Sequence, residues 1–168
     1  MILNDSEIIN LIKTGLVSEY ISLNDQLTPN GFDLTVAKIY KFSSRGELGF
    51  SNSQRILPNL EEITWEDDCA ELPKGCYKIK TNETIRMPLN LIAIAMPRSS
   101  LLRSGITIST GVWDAGFNGK SEFLLSVQND HGFKIWKNAR VVQLVFLQTN
   151  DVKEGYNGIY NLTEKTGK

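Results

Sequence analysis

Apolar residues along this chain recur at two periods, and the change from one to the other divides it. Over 5-DSEIINLIKTGLVS-18, Ile8, Ile9 and Ile12 share one side of a helical wheel. Asp5 or Ser6 can cap such a helix and Gly15 can end it, which predicts a short N-terminal amphipathic helix. Beyond it the helical period disappears. Short apolar or alternating runs follow: 34-LTVAKIYKF-42, 75-GCYKIKT-81, 89-LNLIAIAM-96, 105-GITIST-110, 120-KSEFLLSVQN-129, 132-GFKIWK-137 and 140-RVVQLVFLQ-148. Pro29-Asn30-Gly31, Asn118-Gly119 and Asp130-His131-Gly132 are among the turn residues between them. Strands at this spacing predict a mainly β chain, an antiparallel barrel or jelly roll rather than βαβ units.

Two runs say what they bury. In 121-SEFLLSVQ-128 the odd positions Phe123, Leu125 and Val127 are apolar and the even positions mostly polar, so one face meets a core. The run 141-VVQLVFL-147 is apolar on both faces except at Gln143. With one helix expected, that strand needs a second sheet on one side and different cover on the other. A subunit interface would serve, so a homo-oligomer is expected. Gln143, a lone amide there, must find a partner.

Composition narrows the class. A length of 168 residues fits one domain over 1–168 with a core that needs no staples, and 151–168 reads as a mobile tail. The formal net charge of −1 gives no electrostatic footprint for nucleic acid. No apolar run approaches a membrane span, and MILNDSEIIN carries acidic residues where a signal peptide needs basic ones. Cys69 and Cys76, without a CxxC pair, read as free thiols. A soluble cytoplasmic protein is expected, with neither nucleic acid nor membrane as partner.

Three stretches carry candidate chemistry. In 96-MPRSSLLRSGI-106 a core-like strand ends in Arg98, Ser99 and Ser100, with Arg103 beyond. Ser99 or Ser100 can cap a short helix, and two guanidinium groups beside its N-terminus suit an anion. A helix cap between two surface arginines is the ordinary alternative. In 110-TGVWDAGFNG-119 the glycines suggest a tight hairpin approached closely by something else, with Asp114 at its tip as a possible base for water. A turn aspartate bonding its own backbone explains it as well. Asp33, after the Pro29-Asn30-Gly31 turn, could help hold a hydrated Mg²⁺ or simply serve that turn. His131 is the single histidine, so no histidine triad exists, and 66-EDDC-69 lacks ligand spacing.

In this order the motifs resemble the dUTPase / dCTP deaminase family. An Asp after a Gly turn is followed by 97-PRSSLLR-103, by 111-GVWDAGFNG-119 and by Arg140-x-x-Gln143-Leu144-x-Phe146. The likeness covers roughly residues 27–160 and includes 72-LPKGCYKIKTNETIRMPLNL-91, with its Thr-x-Glu and its Pro before the signature strand. It implies a jelly-roll-like distorted β-barrel and a homotrimer with active sites between subunits. It also implies Mg²⁺ as cofactor and a deoxynucleoside triphosphate as substrate. Arg98, Ser99, Ser100, Arg103 and Gln143 would bind the triphosphate, and Asp33 would support Mg²⁺ through water. Asp114 would orient or deprotonate the attacking water, Phe117 would lie under the deoxyribose, and backbone at Gly111 and Val112 would read the base.

The family holds two chemistries. A dUTPase places water in line with the α-phosphorus. A deaminase works at C4 of cytosine with a glutamate, and the two ways of counting to that position give Leu124 and Ser126 here. Glu122, two residues early, reads as a surface group. dUTP diphosphatase is therefore expected. A dCTP deaminase or bifunctional enzyme stands second, and a non-catalytic nucleotide-binding regulator third. The tail 154-EGYNGIYNLTEKTGK-168 lacks the Gly-rich arm of the usual dUTPases and is closer to the deaminase branch. In it Tyr156 and Tyr160 would either cover the substrate or simply pack on a frayed terminus.

Overall fold

The computed structural model describes residues 1–161 of the 168-residue chain. Residues 162–168 of the expected tail lie outside them. Helix α1 (Asp5–Ile12) starts one residue earlier than expected: Asn4 is the cap. Its Oδ1 accepts from the Glu7 amide at 3.0 Å while Glu7 returns a bond to the Asn4 amide at 2.9 Å. This reciprocal pair leaves Asp5 and Ser6 inside the first turn. Only Ile8 of its apolar side is fully buried.

Beyond α1 the chain is strand. In order come β1 (Val17–Ser18), the one-turn helix α2 (Leu23–Gln26), β2 (Leu27–Thr28) and β3 (Gly31–Phe42). Next are β4 (Leu60–Glu62), β5 (Cys69–Leu72), β6 (Gly75–Arg86) and β7 (Leu91–Pro97). A short helix α3 (Ser99–Arg103) precedes β8 (Ile106–Ser109), β9 (Asn118–Val127), β10 (Phe133–Trp136) and β11 (Arg140–Gln148). Among the described residues nine strands form one sheet along the path β7-β11-β3-β6-β9-β8, with β1, β2 and β4 on its sides, while β5 and β10 pair separately. Its two ends meet where Ala93 and Trp113 exchange backbone hydrogen bonds of 3.0 Å, so the sheet bends into a nearly closed, distorted barrel.

The inward residues follow the alternation expected. Phe123, Leu125 and Val127 of β9 face a core that includes Phe32, Leu34, Ile79 and Phe146. On β11 Val142, Leu144 and Phe146 are buried, whereas Gln143, Val145 and Leu147 on the other face are half-covered. That outer face continues across β7, where Val145 lies opposite Ile94 and Gln143 opposite Met96, both exposed.

Two irregularities interrupt the strand pairing. In β11 the register shifts between Arg140 and Val142, and the carbonyl of Val141 accepts from the amide of Arg98 at 3.2 Å. In β6 the ladder to β9 breaks between Lys80 and Thr84, but the alternation runs on, so Thr81 and Glu83 stay on the buried face with Tyr77, Ile79 and Ile85.

Candidate active site

The predicted residues fall into two groups on one chain. The first surrounds Asp33, whose side chain on β3 is 3% exposed. Arg98 Nε approaches its Oδ2 at 3.1 Å and Arg140 Nη1 at 3.5 Å. Burial pushes the Asp33 carboxyl above its ordinary value, and the Arg98 and Arg140 guanidiniums oppose that shift. Arg140 also donates to the carbonyl of Asp25, which ties the guanidinium to α2. Gln143 pairs with Asp33 across β11 and β3. Its partner is Thr28, whose Oγ1 accepts at 2.8 Å. Gly31 is required beside it, because a Cβ there would stand 2.2 Å from the Leu144 carbonyl and 2.8 Å from Gln143 Nε2.

Ser99 and Ser100 open α3 as expected, but neither hydroxyl caps it. Arg98 is the N-cap residue and no side chain bonds the helix start. Both serines and Arg103 are exposed, and the buried Leu101 anchors the turn. The strand-to-helix junction therefore presents hydroxyls and guanidiniums to the outside next to Asp33.

The second group lies on the connection between β8 and β9. Trp113 and Ala115 are buried, and the indole N–H donates to Ser121 Oγ at 2.8 Å. With both neighbours turned inward, Asp114 turns out and makes no side-chain hydrogen bond among the described residues. Gly116 is left-handed, at φ 84°, and a Cβ there would meet Gly155 at 2.6 Å. The close approach predicted for this hairpin is thus made by the chain's own tail. Gly111 does not share it, having open space around it.

That tail is docked as far as it is described. The Tyr156 amide donates to the Ala115 carbonyl at 2.8 Å, and its ring lies 5.9 Å from Phe117, centroid to centroid. Asn161 accepts from the Asn118 amide at 2.8 Å and donates to the Tyr156 carbonyl at 2.6 Å. From the other side the β3–β4 connection reaches over, with the Arg55 guanidinium 5.9 Å from the centre of the Tyr160 ring.

Between hairpin, tail and that connection lies a cavity of about 800 Å³ lined by Gly111, Val112, Asp114, Phe117, Tyr156 and Tyr160. Its floor is the outer face of β6 and β9, where Lys78, Lys80 and Glu122 stand. Glu122 is therefore at the cavity and not a remote surface group. Its carboxylate is 2.7 Å from Lys78 Nζ and 3.9 Å from Lys80 Nζ. None of Asp33, Arg98, Ser99, Ser100, Arg103 or Gln143 lines this cavity. Arg98 lies beyond the far end of β7 from Ala93, the residue paired with Trp113, roughly 16 Å along the strand at ~3.3 Å per residue.

Sequence reasoning missed several contributors. Arg140 stood in the quoted Arg-x-x-Gln motif without being assigned a role, and its spacing from Gln143 was the available signal. Glu83 likewise stood in the quoted Thr-x-Glu without being assigned a role, whereas Asn161 and the Lys78–Lys80 pair gave no local signal.

A barrel that holds a buried Asp between two arginines at one strand end and an outward Asp on a glycine-rich hairpin at another defines a recognisable class. Residues 2–149 match the sequence model described as dCTP deaminase-like, and the chain belongs to that family. It is 44% identical over 160 residues to the probable deoxyuridine 5′-triphosphate nucleotidohydrolase of Archaeoglobus fulgidus, covering 95% of each chain. To the deoxyuridine 5′-triphosphate nucleotidohydrolase of Methanocaldococcus jannaschii it is 42% identical over 138 residues, 81% of this chain and 87% of that one. Its fold is shared with the 2′-deoxycytidine 5′-triphosphate deaminase of Agrobacterium tumefaciens, at a TM-score of 0.68 and 21% identity. That match covers 86% of this chain and 47% of the deaminase chain, so this chain spans about half the deaminase's length.

Proposed function

We propose that this protein is a dUTP diphosphatase, converting dUTP and water to dUMP and pyrophosphate. The observation that carries this is the outward carboxylate of Asp114 at the wall of a cavity that also holds the Gly111–Val112 backbone and Phe117. The names of its relatives point the same way. In this reading the uracil meets the hairpin backbone and Phe117 packs under the deoxyribose, which leaves a 2′-hydroxyl no room. Tyr156 and Tyr160 cover the nucleoside.

Asp114 orients a water in line with the α-phosphorus. As the water oxygen bonds to phosphorus, its proton passes to Asp114 and the bond to the bridging oxygen breaks, so pyrophosphate leaves. Arg98, Ser99, Ser100, Arg103 and Gln143 hold the triphosphate with charge-assisted and neutral hydrogen bonds. Among the described residues no cluster of three metal-ligating side chains exists. A Mg²⁺ would enter with the triphosphate and be supported by the Asp33 carboxylate, and it would neutralise phosphate charge.

Because the hairpin and the arginine cluster lie far apart on one chain, the active form we assign is a homotrimer in which neighbouring copies complete each site. The outer face of β7 and β11, with Ile94, Met96 and Val145, would be covered in that assembly. No helix among the described residues is long and apolar enough to cross a membrane. The setting we assign is the cytoplasm, where Cys69 and Cys76 stay reduced.

Glu122 at the cavity floor favours a second reading, a deaminase or bifunctional enzyme, although both lysines already engage its carboxylate. Parallel incubations with dUTP and dCTP in the presence of Mg²⁺, resolved by anion exchange, separate the two. dUMP from dUTP with dCTP untouched is expected. Deamination of dCTP would establish the second reading, and no turnover with clear nucleotide binding would make the protein a regulator.

A further inference from the structure

We infer that Glu83 is a positioning residue for the triphosphate end of the site, acting through Gln26 and Thr35. This rests on the nucleotide reading above.

Glu83 is completely buried and has no cationic partner among the described residues. Its two oxygens accept from three donors: Gln26 Nε2 at 2.7 Å, the Thr35 amide at 3.0 Å and Thr35 Oγ1 at 2.6 Å. A buried carboxylate without a counter-ion costs stability, and an apolar side chain would fill the same space at less cost. What the carboxylate does is join two elements that flank Asp33. Thr35 is on β3, two residues past Asp33 and on the same face. Gln26 is the last residue of α2, and its Nε2 also donates to the Asp33 carbonyl at 2.9 Å. Its Oε1 accepts from the Ile21 and Ser22 amides at 2.7 and 2.9 Å, which fixes the start of α2.

Both elements reach the arginines. The carbonyl of Asp25, next to Gln26, accepts from Arg140. Arg140 also stands opposite Thr35 across β11 and β3. Glu83 therefore holds the backbone of Asp33 from one side and the carbonyl that anchors Arg140 from the other. The Asp33 carboxylate in turn meets Arg98 and Arg140 at 3.1 and 3.5 Å. Glu83 reaches this contact by the plain alternation of β6, on the buried face that also carries Ile79 and Ile85. No other Asp or Glu side chain bonds Gln26 or Thr35 among the described residues.

Glu83→Gln keeps the shape but turns one acceptor into a donor facing Gln26 or Thr35. Gln26→Met removes the link from the other end. Binding is measured by calorimetry with α,β-imido-dUTP and with dUMP, which keeps base, sugar and one phosphate. Each variant is expected to weaken the triphosphate analogue roughly tenfold while leaving dUMP unchanged, and the double variant to add little to either one. Equal losses for both ligands, or unchanged analogue binding in folded variants, would overturn the inference. So would failure of both variants to fold, which would assign the network to stability alone. A wild-type protein that binds neither ligand would sink the nucleotide reading, and this inference with it.

Discussion

Asp114 and Glu83 are opposite solutions for a carboxylate. Asp114 is pushed into the open by its buried neighbours Trp113 and Ala115, so none of the described residues of its own chain competes for its oxygens. Asp114→Asn should leave affinity for α,β-imido-dUTP within a few-fold and lower kcat by ~10²–10⁴-fold, since a base for water typically contributes that much. Pyrophosphate release and calorimetry on the same preparation check both halves; surviving turnover would remove Asp114 from the role. Glu83 is sealed in, and burial pushes its carboxyl above the ordinary value of 4.5, with the bonds from Thr35 and Gln26 opposing. The folded protein thus holds that proton more tightly than the unfolded chain. The stability this lends is complete below 4.5 and is lost as pH rises through the higher folded value. The raised carboxyl of Asp33 acts in the same sense, but it is present in both proteins and cancels in the comparison with Glu83→Gln. Unfolding midpoints from about pH 4 to about pH 8 should show wild type losing ground against Glu83→Gln as pH rises. A constant difference would mean that Glu83 does not change protonation in this range.

Among the elements, the regular ones were legible in the sequence and the joints between them were not. The strands β3, β7, β9 and β11 followed from alternation and turn residues, because a strand with one buried face writes its period into the chain. The short strands β1, β2, β4 and β5 carry too few residues to show a period, and they exist by pairing with longer ones. Helix α2 fits one turn and was equally silent. For the site, the motif residues Arg98, Asp114 and Gln143 were legible, since each sits in a dense local pattern. Glu83 stood in the quoted Thr-x-Glu, but its role did not show and Asn161 gave no signal, because their partners lie far away in sequence: Thr35 is 48 residues from Glu83, and Asn118 is 43 residues from Asn161. The docked tail is the clearest case. Asn161→Ala removes its bond to the Asn118 amide of the hairpin and its bond to the Tyr156 carbonyl within the tail, leaving the Tyr156–Ala115 bond, and it should raise KM for dUTP about tenfold with little change in kcat. Faster proteolytic nicking within residues 151–161 would accompany it. An unchanged KM would make the docked tail a terminus that merely packs.

For the whole molecule, the decisive fact is the separation of the two groups. Roughly 16 Å of β7, at ~3.3 Å per residue, separates Arg98 from the residue paired with Trp113, so we assign Arg98 and Asp114 of one chain to different sites. The unpaired apolar face of β7 and β11 offers the contact by which another copy could bring its own Arg98 to this hairpin. A trimer with sites between copies makes a prediction that no single-chain site can imitate. Asp114→Asn and Arg98→Ala are each expected to be almost inactive alone. When they are unfolded together in equal amounts and refolded, hairpins from the Arg98→Ala chain can meet arginines from the Asp114→Asn chain. With random assembly about a quarter of the sites contain both intact halves, so activity should return to about a quarter of wild type. Refolding each variant separately and mixing afterwards should restore little unless subunits exchange. If co-refolded mixtures stay as inactive as their parents while wild type refolds fully, each site belongs to one chain. The cavity would then have to be completed by a movement of that chain.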